Sequence, residues 1–219
     1  MRILMPCAAF PPFIDGGGPI SALQIAHMLK KEGHDIRILH VSDEEKIEEF
    51  EGIPVKRMPS LNIYWNYYEP RSKLQKITWH LLENGNPRAF FAMRKEMQEF
   101  QPDVVHTVSI ENINVATWAA AKSLGIPVAH TIHSAFLMTW KGVMQKAGKP
   151  LDRQTFPDRM TSIGKRFFSR FVDLVIGESN DVVQRHLKEG YFKNAISRCI
   201  PGAIPDEIAD HPRLYPADR

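Results

Sequence analysis

The chain has 219 residues, 43% of them hydrophobic and 24% charged, a balance that suits one large folded domain and excludes disordered, collagen-like and disulfide-stapled classes. Its 28 Lys and Arg against 25 Asp and Glu give a net charge of +3, too mild for a dedicated nucleic-acid binder. Two cysteines, Cys7 and Cys199, are too few for a secreted scaffold, and Pro6, Pro11 and Pro12 break the amino-terminal apolar run before it forms a secretory signal or a membrane span. A reducing, cytoplasmic setting is expected.

The run Arg2 to Cys7 is short, apolar and followed by a loop holding Gly16, Gly17 and Gly18, so it reads as a buried parallel strand. Pro19 suits a first helical position, Ala22, Ile25, Ala26 and Leu29 share one face, and Gly33 supplies the stop. Strands follow over 36–41 and 53–58, and two helices over 72–100 with a break at Gly85 to Pro87. Next come a strand over 103–107, an alanine-rich helix over 112–124 and a strand over 128–133. A basic stretch with one helix over 158–171 leads to a strand over 174–177, and Ser179 caps a last helix ending at Glu189. Apolar strands alternating with helices predict an α/β fold, a doubly wound, mostly parallel Rossmann-like sheet with helices on both faces.

The glycine loop between the first strand and the first helix has two readings. Consecutive glycines let a backbone approach a phosphate while the helix N-terminus brings partial positive charge; alternatively they serve a tight turn needing positive φ. The dinucleotide fingerprint and the P-loop pattern are both absent, which removes the main support for a nicotinamide oxidoreductase or an ATPase.

The segments FPPFIDGGGP, KKEGHDIRIL, QPDVVHT, AAKSLGIPVAHTIH and VDLVIGESNDVVQRHLKEG, in this order and spacing, resemble the amino-terminal lobe of retaining GT-B-type glycosyltransferases of family 4. The resemblance implies a two-lobed enzyme whose amino-terminal lobe holds a carbohydrate or glycolipid acceptor, as in cell-envelope polysaccharide synthesis. The other lobe of such enzymes grips a UDP-, GDP- or ADP-sugar donor, with neither a cofactor nor a metal. It further implies that residues 1–205 are the acceptor lobe, that 206–219 begin an interlobe linker, and that the donor lobe is absent, leaving this chain inactive alone. CIPGAIPDEI resembles the interlobe segment, with glycine at an asparagine position.

By the same resemblance His133 is the cleft histidine beside the transferred sugar, and its place at a strand end agrees, because open α/β sheets bind ligands at the carboxyl ends of their strands. A histidine bonded to a neighbouring loop is the alternative. His130, three residues earlier, falls on the other face and makes a poor zinc partner. His106 matches the first member of the family's H-x-H pattern, with Val108 in place of the second, so a buried structural role competes with acceptor binding. Glu111 is suited to meeting an acceptor hydroxyl or to capping a helix, and Ser134 adjoins His133. The loop carrying Asn62, Tyr64, Trp65, Asn66 and Arg71 has flat side chains suited to stacking on sugars, or to packing. Lys165, Arg166 and Arg170 accompany Ile163, Phe167, Phe168 and Phe171 on one helix. That composition suits peripheral contact with an anionic membrane on its cytoplasmic face, or a docked helix with solvated cations. A non-catalytic interaction or membrane-docking module is the competing function class.

Overall fold

Strand β1 (Arg2–Cys7) is buried from Ile3 onward because it lies inside an eight-stranded sheet, paired in parallel with β2 (Asp35–Ser42) on one side and β5 (Val104–Val108) on the other. The computed structural model describes residues 1–14, 16–65, 69–146 and 148–202; the expected linker over 206–219, the end of the interlobe-like segment and Asn66 lie outside them. Beyond β5 the sheet continues in parallel through β6 (Val128–Ile132), β9 (Leu174–Gly177) and β10 (Ile196–Cys199). Beyond β2 it runs through β4 (Ile53–Pro59) to an antiparallel edge, β3 (Lys46–Phe50). Glu51 and Gly52, at φ 48° and 76°, turn the β3–β4 hairpin with the left-handed pair that such tight turns favour. A two-stranded ribbon, β7 (Gln145–Lys146) and β8 (Lys149–Pro150), lies apart.

Alternation along β1 divides the core. Ile3, Met5 and Cys7 pack with Ala22 and Ala26 of α1 (Gly17–Lys31), while Leu4 joins the larger cluster on the opposite face with Trp79, Met93, Met97 and Trp118. Those four residues belong to α2 (Lys73–Leu82), α3 (Pro87–Phe100) and α4 (Ala116–Ser123). Sequence chemistry sets these boundaries. Ser72 and Gln75 form a reciprocal capping box on α2, and Asn86 caps α3 with proline just inside. Helices therefore cover both faces as expected, but unequally: beyond α1, Thr131, Ile176 and Ile200 line an open groove against Ile25 and Met28.

Two helical expectations need correction. The helix expected from residue 112 starts only at Ala116, because Ser109, Asn112 and Asn114 adopt left-handed backbone (φ 54°, 63° and 82°). The Asn114 carboxamide locks that shape: its oxygen accepts from Asn86 N and Ala116 N, and its nitrogen donates to Leu82 O. The single helix expected over 158–171 is three pieces, α5 (Phe156–Thr161), α6 (Ile163–Phe168) and a 3-10 turn (Ser169–Phe171). Ser162 breaks the run, donating to Asp158 O while Tyr191 Oη donates to it.

Lys165, expected at a membrane or in solvent, is instead fully buried. Its Nζ donates to Phe136 O over 2.8 Å and sits 3.4 Å from the Phe136 ring centre, the pairing a desolvated ammonium requires. Arg166 is half-buried, donating to Gln154 Oε1. Of the three named cations, Arg170 alone is exposed. Helix α7 (Asn180–Lys188), capped by Ser179, completes the fold.

Candidate functional site

Parallel strands β1, β5, β6 and β9 end at the same edge of the sheet, so the loops leaving them converge. Gly16, Gly18, Ser109, Glu111, His133 and Ser134 line one pocket of about 210 Å³ there. The glycine loop, His133, Glu111 and Ser134, named from sequence on separate grounds, thus share a single cavity.

None of Gly16, Gly17 or Gly18 has the left-handed backbone that demands glycine. A Cβ at Gly16 or Gly17 would touch nothing within 4 Å, and one at Gly18 would meet Ser109 Oγ at an ordinary 3.7 Å. The tight-turn reading therefore fails, and the chain's own packing does not require glycine here. Gly16 and Gly17 are exposed at the mouth of α1, where unpaired backbone N–H groups carry the positive end of the helix dipole.

His133 follows β6 directly. Its Nδ1 lies 3.0 Å from Glu178 Oε1, the carboxylate of the first residue beyond β9, and the imidazole side chain is only 9% exposed. The opposite nitrogen, Nε2, is buried without a protein partner. Such an atom seeks a hydrogen-bond partner from outside the chain. Ser134 Oγ donates to Glu111 Oε1 over 2.6 Å and accepts from Phe136 N. The second oxygen of Glu111 accepts from Ile110 N. Glu111 thus braces the loop between β5 and α4 and faces the pocket at the same time. Strained left-handed residues at Ser109 and Asn112 flank it, the kind of backbone that surrounding structure must over-determine.

His106 is buried on β5, with Nε2 2.8 Å from Thr131 Oγ1. Burial, and secondarily the neighbouring His133, pushes its pKa down to about 4, so it is neutral. It lines the groove beside α1 together with His133 and Glu178. His130 points to the opposite face, against Trp118 and Phe192, with Nδ1 on Thr107 Oγ1.

Among the described residues, those of the aromatic loop do not line this pocket. Asn62 is turned inward, its nitrogen donating to Trp79 O and Glu83 Oε1 and its oxygen accepting from Ile63 N, so the expected acceptor contact gives way to a structural one. Arg71 pairs with Glu69 and covers the Tyr64 ring at 4.9 Å, while Trp65 donates to Asp43 and packs edge-on against Phe13. Sequence reasoning missed Glu178, although its position one residue past β9 is the same strand-end signal that singled out His133. Among the described residues no three His, Cys, Asp or Glu side chains converge as a metal site, and no helix is long and apolar enough to cross a membrane.

Known proteins resemble this arrangement. A Klebsiella pneumoniae protein described as an uncharacterized 42.6 kDa protein in cps region is 26% identical over 211 residues, covering 95% of this chain and 57% of that one. The UDP-GlcNAc 2-epimerase of Methanocaldococcus jannaschii superposes with a TM-score of 0.50 at 14% identity, over 90% of this chain and 45% of the epimerase. The lipopolysaccharide outer core galactosyltransferase WaaB, in its apo form, gives 0.49 at 11% identity, over 90% and 44%. The chain thus spans little more than half of its curated relative and under half of these solved structures. With the model described as Glycosyltransferase Family 4 matching residues 15–207, and with the Rossmann-like sheet and strand-end cleft already in place, this chain belongs to glycosyltransferase family 4.

Proposed function

We propose that the chain is the acceptor-side lobe of a glycosyltransferase that moves a sugar from a UDP-, GDP- or ADP-sugar donor to a carbohydrate or lipid-linked acceptor, with retention of anomeric configuration, and that it is inactive until joined to a donor-binding lobe. The observation that carries this reading is the meeting of an unencumbered glycine loop, Glu111, Ser134 and the unpartnered Nε2 of His133 around one strand-end pocket. In glycosyl transfer the bond from the anomeric carbon to the diphosphate breaks, a bond to the acceptor oxygen forms, and the acceptor hydroxyl's proton passes to the departing diphosphate. With Nδ1 directed at Glu178, Nε2 of His133 is placed to accept a hydrogen bond from a sugar hydroxyl, which fixes the reacting geometry. The N–H groups at the exposed Gly16 and Gly17 oppose the charge that develops on the leaving diphosphate.

The test is sugar transfer measured with the two-lobed protein and with this chain alone, across donors of different base. Transfer is expected from the first and none from the second, and His133→Ala is expected to lower turnover by about a hundredfold. Turnover by the 219-residue chain on its own, or an unimpaired His133→Ala enzyme, removes the two-lobed cleft centred on His133.

A further inference from the structure

A surface helix ordinarily turns its apolar stripe to the core, and α2 does not. Leu74, Ile77 and Leu81, one face at spacings of three and four, are 73%, 43% and 57% exposed, and Trp79 is the helix's buried side chain. A second stripe on α5 and α6, Met160, Ile163 and Phe167, is 52%, 52% and 49% exposed, preceded by the still more exposed Phe156. The two stripes adjoin. Asn84, the next position along the α2 stripe, donates from its carboxamide to both His80 O and Thr161 O, and its side-chain oxygen accepts from Lys165 N.

The charge around this surface is predominantly positive. Residues 73–82 contain two lysines, Lys73 and Lys76, both exposed, and no acid. Residues 156–171 contain exposed Arg159 and Arg170, half-buried Arg166 and one acid, Asp158. That carboxylate is occupied by the hydroxyls of Thr139 and Thr155. Aliphatic and aromatic side chains framed by lysine and arginine match the interface of an anionic bilayer, where rings and chains enter the acyl boundary and cations stay among the headgroups.

We infer that the joined outer faces of α2 and α5–α6 form a peripheral docking surface for an anionic lipid bilayer, with Lys73, Lys76, Arg159 and Arg170 as its cations. The surface differs from the one composition suggests, since Lys165 is interior and α2 supplies half of the contact. It would hold a lipid-linked acceptor's membrane beside the lobe, yet it stands apart from the catalytic reading, because binding to a bilayer is measured without any sugar transfer.

The experiment is co-sedimentation of the 219-residue chain with vesicles of phosphatidylcholine alone and of phosphatidylcholine mixed with phosphatidylglycerol, at low and high salt. Binding is expected to the mixed vesicles and to weaken with salt. Each cation at an anionic surface is worth about a fivefold change in partition, so the Lys73→Gln, Lys76→Gln, Arg170→Gln variant is expected to lose about a hundredfold at low salt. A Leu74→Ser, Leu81→Ser, Ile163→Ser variant, altered only at exposed positions, is expected to keep its circular dichroism and lose binding to the mixed vesicles. Failure of the wild-type chain to bind mixed vesicles overturns the inference, as does equal binding by the cation variant. Light scattering that shows a dimer dissolved by the serine variant, with no vesicle binding, gives the surface to a second copy and overturns it equally.

Discussion

His133 Nδ1 and Glu178 Oε1 lie 3.0 Å apart across the ends of β6 and β9. A carboxylate can only accept, so Nδ1 must carry the proton between them, and in the neutral ring Nε2 is left with a bare lone pair. That lone pair is the buried, unpartnered atom at the pocket. Glu178 thereby sets which nitrogen of His133 is left to accept a hydrogen bond.

Replacing Glu178 by alanine should change the tautomer of His133 without unfolding the chain. Two-bond nitrogen–proton correlation spectra of histidine-labelled protein, above the pH at which the ring is charged, are expected to show an Nδ1–H ring in the wild type. The Nε2–H form normal for solvated imidazole should appear in Glu178→Ala. The buried rings of His40, His106, His130 and His186 serve as internal controls for folding. A wild-type His133 protonated at Nε2 would remove the positioning role whether or not the chain proves to be a transferase.

Acid should destabilise this lobe earlier than its carboxylates would predict. Burial lowers the pKa of His40, His80, His106 and His186 to about 4 from 6.5, and lowers His130 as well. Each ring therefore binds its proton more weakly folded than unfolded. Between pH 6.5 and 4 the unfolded chain is protonated at His40, His106 and His186 and the native chain is not, so stability falls as pH falls, by about 1.4 kcal/mol per pH unit for each of these well-buried rings. His106→Gln, which keeps a polar partner for Thr131, should flatten the slope of stability against pH in that window by about one proton, measured by denaturant unfolding at a series of pH values. An unchanged slope would show that His106 is charged in the native state.

Most of the sheet was legible because its strands are continuous apolar runs between glycine or proline breaks. Arg2–Cys7 and Leu174–Gly177 coincide with the expected bounds. What escaped has physical reasons. Strand β3, KIEEF, is a charged edge with no buried face, and β10 is a short edge strand exposed at Ile196. The burial of Lys165 depends on Phe136, 29 residues away, and no local pattern reports such a pairing. The meeting of His133 and the glycine loop at one pocket was legible because both follow strand ends. The inward turn of Asn62 was not legible because its partner Glu83, buried at the C-cap of α2, is 21 residues away.

Two glycines make a contrasting pair that separates packing from ligand binding. A methyl group at Gly164 would collide with the carbonyl oxygen of Asn84 and press on its Cβ. Both are anchored, since Asn84 bridges α2 to the α5–α6 junction. Gly164→Ala should therefore shift α6 off α2 and destabilise the chain by about 1–3 kcal/mol, the usual cost of overpacking, read as a lower midpoint of urea unfolding.

Gly17→Ala should do the opposite in the isolated lobe. Its Cβ meets nothing, its backbone is compatible with any residue, and the position opens α1. The substitution therefore lowers the entropy of the unfolded chain at no steric cost and should raise stability by about 0.5–1 kcal/mol. If the loop receives a donor diphosphate, the same methyl group occupies the space through which phosphate oxygens reach the backbone N–H groups. The two-lobed protein carrying Gly17→Ala should then lose turnover and nucleotide-sugar affinity together while unfolding at a higher denaturant concentration than the wild type. Both measurements are needed, because lost turnover with lost stability would mean a packing role that the open space around Gly17 argues against. Full turnover in a stabilised variant would move the diphosphate away from this loop and leave His133 as the pocket's remaining link to the donor.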